Sequence, residues 1–551
     1  MFTDRLNDIL YHLLPARPGQ LINVGAFQDL DSGTRSEIQR AAEKALSESI
    51  PAIKASDWLH SPDSAQKLRD EKRRHLFSLM MGAVAINPAR YIARIVDLIW
   101  DLSNEYTWRS AGGIHEAAQH ATDVYALETS SLISWSVQTL GTEIDRTSTD
   151  VYHFAKEALS RRVLTPFAAR ETPAWALKKD GHRLKRLTAL LSCILLADED
   201  DHRRWIGVRR CLMLMEDALR DMNKDGVHPY GLEAWQTDAQ ALSDAATLML
   251  MATGGEVDAR GDKKFKRISE YPVNAHMANG RFVNPDGENP PALSGEILFR
   301  IGECADNRAL KRLGAAMGKG AQAPESATGA VFDILMRRAF MAEAAVYPVR
   351  SRVFLPYSML CACEASSFRA SFTGGSFTRG HADAGSLHLY YAGKPVFTDV
   401  CSGAFQASMH GLPSVNGFDI LKGFGGAKDI EAKFEDAFTY LSINIAPGFD
   451  EAAGVLSWQR TVMLSPVERR VRIIEAFDLK SPAEHIIFRF ITPVKPEADG
   501  EGRYNIGSVR LSWEEALPSR VEPIRGGYRI EIDAMNAGMR GNYAFIVSAR
   551  S

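Results

Sequence analysis

The sequence predicts an α+β multidomain chain: an N-terminal (α/α) toroid followed by a C-terminal antiparallel β-sandwich. Three observations carry this expectation. The chain has 551 residues, more than one ordinary hydrophobic core serves. Up to about residue 345, apolar residues recur at helical spacing. Beyond Tyr347-Pro348, short alternating runs rich in β-branched and aromatic residues are separated by Gly, Pro, Asn and Asp. The expected domains are therefore residues 1–345, the toroid, and residues 346–551, the sandwich.

In the first half, Ile38, Ala41, Ala42, Ala45 and Leu46 share one helix face, and Ser36 is expected to cap that helix. Ile92, Ile95, Val96 and Trp100 mark another. Further helices are expected over 123–140, 152–162, 184–197, 205–222, 237–252 and 331–344. Many helices of ordinary length joined by loops suit a stacked or toroidal array of hairpins. No sequence period supports a repeat solenoid. In the second half, residues 386–391 and 395–400 flank Ala392-Gly393-Lys394 as a hairpin. A simple hairpin there sets Asp399 opposite Ser386. Runs at 462–464, 470–474, 486–490, 528–532 and 543–547 continue the strand pattern.

Composition is that of a soluble globular protein, 45% hydrophobic and 24% charged. A formal charge of -3 argues against a nucleic-acid partner. The apolar stretches are too short to span a membrane. The first residues carry Asp4, Arg5, Asp8 and His12 with no apolar run behind them, unlike a signal peptide. The expected address is cytoplasmic, or periplasmic or secreted if a leader has been trimmed away. Cys193 and Cys211 sit in apolar helical patterns as buried thiols, and Cys361 and Cys363 share a strand face. Seven of the nine tryptophans precede residue 240. Trp108, Trp175 and Trp235 have loop-like neighbours and are the expected sugar-stacking residues of a cleft, although packing between helices is the ordinary role of such rings.

The stretch from Arg379 through His381, Asp383 and Gly385 to Gly393-Lys394-Pro395 and Asp399 resembles the central signature of heparinase II/III-like proteins. His410-Gly-Leu-Pro-Ser-Val-Asn-Gly417 resembles a downstream element of that family. Trp458-Gln-Arg-Thr-Val-Met-Leu and Ile487-Phe-Arg-Phe-Ile-Thr-Pro493 are similar to its later strands. Asp225-Gly-Val-His-Pro-Tyr-Gly-Leu-Glu-Ala-Trp235 more loosely resembles its toroid loop. The resemblance implies the fold already read from periodicity and a lyase acting on a uronic-acid glycan by β-elimination. In such a reaction a base removes the proton alpha to the uronate carboxyl group, and an acid protonates the departing glycosidic oxygen. Cations or hydrogen-bond donors stabilise the charge that builds on the carboxylate.

The resemblance also implies site residues. His381, Asp399 and His410 match a zinc held by two imidazoles and a carboxylate, a structural metal of tetrahedral type. Arg379 stands where many members carry a second, catalytic histidine. An arginine grips a carboxylate but is a poor base. Tyr230 is the expected proton-transfer residue, meeting Arg379 across a cleft between toroid and sandwich, with His228 in the same loop as its alternative. Where members often have a catalytic asparagine, this chain has Thr172-Pro173-Ala174, so Lys178, Lys179 and His182 are the cations nearest that position. His115 and His120 are spaced poorly for one helix face and are weaker cleft candidates.

The expected partner is a uronate-containing oligosaccharide or polysaccharide, and homo-oligomerisation stays open. Two other functions compete. One is a glycan-binding relative of the same fold whose chemistry has changed, suggested by Arg379 and the absent asparagine. The other is a toroid glycoside hydrolase, which needs two facing carboxylates. Glu116, Asp123, Glu233 and Asp238 are available, but no spacing singles out a pair.

Overall fold

The computed structural model describes residues 1–54, 56–57, 62–110, 122–169, 172–178, 181–220, 222, 224–283, 291–318, 320, 326–358, 360–365, 367–374, 383–400, 407–421, 427–435, 438–465, 467–513 and 517–550. They form two compact units.

The first unit takes in 1–221, 236–266 and 294–344 and is built from helices. Several start on a side-chain cap that satisfies an otherwise orphaned backbone N–H. Asp31 accepts from the Thr34 N–H at 2.9 Å, Asp123 from Ala126 at 2.9 Å, and Asn307 from Leu310 at 3.1 Å. Ser36 does not cap the first long helix. That helix runs Ser32–Ser47 with Asp31 as its cap, and the Ser36 hydroxyl donates back to the Ser32 carbonyl inside the first turn. Val124–Thr147, Arg183–Ala197, Asp201–Leu219, Gly231–Ala252 and Ala327–Ala342 fall where helical periodicity predicts helices. Lys263–Ala275, Gly295–Cys304 and Arg308–Met317 are helices that sequence reading left out.

Polar contacts tie the last helix of the array to earlier ones. Trp135 Nε1 donates to Thr328 Oγ1 at 2.9 Å, and Arg337 pairs with Glu37 at 2.7 Å. Arg300, 1% exposed, pairs with both Asp244 and Asp333, linking three helices at once. The single guanidinium offsets the charge of one of the two acids and hydrogen-bonds both. Cys193, Cys211 and Cys304 are buried free thiols. Among the described residues, no helix is long and apolar enough to cross a membrane.

The second unit takes in 222–235, 267–293 and 345–551. Its strands form antiparallel sheets of eight, five and four strands, besides a two-stranded ribbon. The eight-stranded sheet centres on Val455–Ser465, Arg470–Leu479 and Arg540–Ala549. Along Arg470–Leu479 every second residue is buried, the alternation of a strand with one face on a core. Phe545 of this sheet meets Phe488 and Phe490 of the four-stranded sheet, with ring centroids 5.2 and 5.1 Å apart. Phe490 in turn meets Phe397 of the five-stranded sheet at 4.9 Å. These rings form the sandwich core, with Trp458 fully buried among them. Ala392 and Gly393 both have positive φ, as a tight hairpin between Ser386–Tyr391 and Lys394–Phe397 requires.

One feature departs from a single cut at residue 345. Residues 222–235 and 267–293 belong with the strands. Hydrogen bonds account for it. Asp225 accepts from the Ser358 N–H at 2.8 Å and from its hydroxyl. The Arg369 guanidinium donates to the His276 carbonyl at 2.9 Å, and His276 Nδ1 lies 2.9 Å from the Pro348 carbonyl.

Candidate active site

The loop that carries Tyr230 is fixed from both ends. Asp225 holds the turn at Ser358. Gly226 has φ +85°, and a Cβ there would lie 2.4 Å from the Arg267 carbonyl oxygen, so only glycine fits. The Tyr230 N–H donates to His228 Nδ1 at 3.1 Å, and the Gly231 N–H donates to the His228 carbonyl at 3.2 Å. His228 is buried, 4% exposed, and its Nδ1 is an acceptor, which leaves the ring proton on Nε2. Through Nδ1 it helps to position the loop that carries Tyr230. Tyr230 is half-buried beside the His228 ring.

A second constellation lies at the end of the 386–397 hairpin. Asp399 Oδ2 sits 3.2 Å from His410 Nδ1, and Ser386 Oγ sits 3.3 Å from Asp399 Oδ1. The hairpin register shifts by one residue between Leu389 and Tyr390 and the ladder ends at Phe397, so a side-chain hydrogen bond, not simple strand pairing, joins Asp399 to Ser386. The Ser386 hydroxyl also reaches the His410 carbonyl at 3.1 Å. Burial works against ionisation of Asp399. The neighbouring His410 and His388 and the hydrogen bonds outweigh it and hold the carboxyl below its ordinary range. His388, buried beside Thr398 Oγ1 at 3.1 Å, is pushed by burial below the ordinary imidazole range, with Asp399 opposing and His410 reinforcing that shift.

This pair fits a zinc site. Two donors about 2.0–2.1 Å from a tetrahedral ion lie about 3.3–3.4 Å apart, close to the separation of Asp399 Oδ2 and His410 Nδ1. The donor set of carboxylate and imidazole is also right for zinc. His381, the third expected ligand, lies outside the described residues, as does Arg379.

Behind the pair stands a layer that sequence reading missed. Arg460, 2% exposed, donates to Glu475 at 2.7 Å, to the Gly385 carbonyl at 2.9 Å and to the Gly411 carbonyl at 3.1 Å. It therefore fixes the residue before Ser386 and the residue after His410. Trp458 Nε1 donates to the other Glu475 oxygen at 2.7 Å. Arg489 reaches the Leu412 carbonyl at 3.3 Å and Asp419 at 2.6 Å. The signal available in the sequence was charge at core positions of otherwise apolar strands.

The aromatic candidates divide. Trp108 is 2% exposed, with Nε1 on the Leu102 carbonyl and the Arg162 guanidinium over its ring. Trp235 is fully buried, with Nε1 on the Ile268 carbonyl. Neither ring presents a face to a sugar. Both are corrected to packing residues: their indole N–H groups found backbone partners and their rings found neighbours. Trp175 is half-buried against Phe167 and keeps an accessible part. Trp100 and Trp205, both in helical runs, are 50% and 45% exposed. His182 is exposed at the start of the Arg183–Ala197 helix, and Lys178 is exposed nearby. Lys179, His115, Glu116 and His120 lie outside the described residues.

No family model and no curated protein matches this sequence. Solved structures do match. A heparinase III superposes with a TM-score of 0.62 at 10% identity, over 99% of this chain and 88% of its own. A heparan sulfate lyase from Pedobacter heparinus gives 0.61 at 12%, over 97% and 85%. A chondroitin AC lyase of Streptomyces coelicolor, as a single-site mutant, gives 0.57 at 12%, over 99% and 83%. The chain has the fold of heparinase II/III-like polysaccharide lyases, a helical toroid with antiparallel sheets.

Proposed function

We propose that this protein is a lyase that cleaves a uronate-containing glycan by β-elimination. The observation that carries the reading is the likeness, along nearly the whole chain, to polysaccharide lyases named for different substrates: heparan sulfate, chondroitin and xanthan. A fold shared across those substrates makes glycan cleavage the common element. The loop at Asp225–Trp235 supports it, because its buried fixings are spent on presenting one tyrosine.

In this reading Tyr230, acting as phenolate, takes the proton alpha to the uronate carboxyl group. The electron pair forms a carbon–carbon double bond as the glycosidic C–O bond at the beta carbon breaks. The tyrosine hydroxyl so formed returns that proton to the departing oxygen. Arg379 grips the carboxylate and favours the charge-delocalised intermediate. Asp399, His410 and His381 would hold zinc, which would tie the hairpin to the loop at His410 and steady the segment bearing Arg379.

The test is a time course of ultraviolet absorbance with unsulfated and sulfated uronate oligosaccharides. Elimination makes an absorbing unsaturated uronate at the new chain end. Hydrolysis makes new reducing ends without that absorbance and would replace this reading with a glycosidase. Binding without any cleavage would favour the chemically altered relative, the outcome that an arginine at position 379 and an alanine at position 174 point toward.

A further inference from the structure

We propose that Glu48, Glu71 and His75 form a divalent-cation site in the helical unit, separate from the Asp399–His410 pair. One ligand atom from each of the three lies within 4.8 Å of the other two. His75 Nε2 is 2.8 Å from Glu48 Oε2 and 3.8 Å from Glu71 Oε1. Three donors on a cation with bonds of about 2.1 Å lie about 3.0 Å apart in an octahedral site and about 3.4 Å apart in a tetrahedral one. The two distances from His75, 2.8 and 3.8 Å, bracket both spacings.

Three physical features favour a cation over a plain surface cluster. First, the donors are preorganised. Glu71 and His75 are four residues apart on the Pro62–Ala85 helix, so they share a face. The His75 ring is 8% exposed, which fixes its Nε2 toward the two carboxylates. Second, Glu48 is the C-cap residue of the Ser32–Ser47 helix. A carboxylate there sits at the negative end of the helix dipole, where it is disfavoured unless a positive charge offsets it. Third, all three residues line one pocket of about 630 Å³ between helices, so coordination positions opposite the protein donors are open to solvent and ligand. Both carboxylates are partly exposed, at 39% and 36%.

Other charges face the same pocket. Lys44 lies 3.8 Å from the other Glu48 oxygen, but it is 74% exposed and free to swing into water. Arg73 is committed to Glu105 at 2.8 Å. Arg74 and Glu128 complete the lining. Two carboxylates and one imidazole suit a first-row transition cation of the zinc and manganese class. Calcium, which collects six to eight oxygens, is a poor match.

The rival is a protonated His75 clamped by its two carboxylates with no ion. Calorimetric titration of Zn2+ into chelator-treated full-length protein separates the two, with Mn2+ and its spin-resonance signal as the second probe. The Asp399→Asn variant carries the assay so that the hairpin pair does not contribute. One equivalent should bind, and the melting temperature should rise with it. Glu71→Gln and His75→Ala, each in that background, should weaken binding by tenfold or more. In the wild-type background each should lower bound zinc by one equivalent. Glu71→Gln changes a partly exposed side chain by one atom, so its loss of binding reports the site and not misfolding. Absence of stoichiometric binding in Asp399→Asn, or unchanged affinity in Glu71→Gln, overturns the proposal. Neither result bears on the lyase reading, since no turnover is measured.

Discussion

Replacing Arg460 with methionine tests whether buried charge holds the Asp399–His410 constellation in place. Methionine keeps most of the aliphatic stem and removes every donor. Glu475, 1% exposed, would then face Trp458 Nε1 alone, and the Gly385 and Gly411 carbonyls would each lose a donor. Removing one partner of a buried ion pair costs about 3–5 kcal/mol, because the remaining charge is uncompensated. Orphaned carbonyls push the cost toward the upper end. Adding Glu475→Gln removes the stranded charge, and the double variant should recover about 2 kcal/mol relative to Arg460→Met. The assay is urea titration read by hydrogen exchange along Val455–Ser465 and Arg470–Leu479, which follows the strand unit apart from the helices. A loss under ~1 kcal/mol for Arg460→Met, the scale of an exposed pair, would refute the reasoning. So would a double variant no more stable than the single one.

Tyr230→Phe should cut turnover by about 10²–10⁴-fold with little change in oligosaccharide binding, the signature of a lost proton transfer; single-turnover kinetics with a binding isotherm check it. Burial, opposed only by the bond to Pro348, holds the His276 pKa at about 4 against an ordinary 6.5. Its contribution to stability is therefore whole above pH 6.5 and is lost as pH falls toward 4, by about 2 kcal/mol at pH 5; His276→Gln should flatten that part of the urea-midpoint profile between pH 7.5 and 5. Trp235→Phe should destabilise the protein by about 1–3 kcal/mol through the lost bond to Ile268 and leave sugar affinity unchanged, as paired unfolding and binding measurements would show.

The fold was legible where burial imposes a period. The Val124–Thr147 and Arg183–Ala197 helices and the alternating Arg470–Leu479 strand each announce themselves that way. The helices Gly295–Cys304 and Arg308–Met317 did not, because glycines interrupt their apolar faces. Those glycines have a packing reason. A Cβ on Gly314 would lie 2.5 Å from the Gly295 carbonyl, and one on Gly302 would lie 2.8 Å from the Lys311 nitrogen. Close helix approach removed the side chains that sequence reading relies on. In the candidate site, Asp399 and His410 were legible from a local motif. Arg460 and Glu475 were not, since their meaning comes from partners 49 and 75 residues away in one case and 17 in the other. The tryptophans misled for a related reason: a loop-like neighbourhood in sequence says nothing about what packs over an indole. Trp235 stands in the first turns of a helix and is covered completely.

The Asp225–Ser358 bond joins residues 133 positions apart. During synthesis the chain emerges from its N-terminus, and domains generally fold as units as they appear. The loop bearing Tyr230 therefore leaves the ribosome long before its anchor exists. The helices around it can assemble at once, while this loop waits for the first strands. A product broken off before residue 358 would keep its helical array and lack the tyrosine's mooring. Translation itself thus delays the proposed chemistry until the strand half is being made.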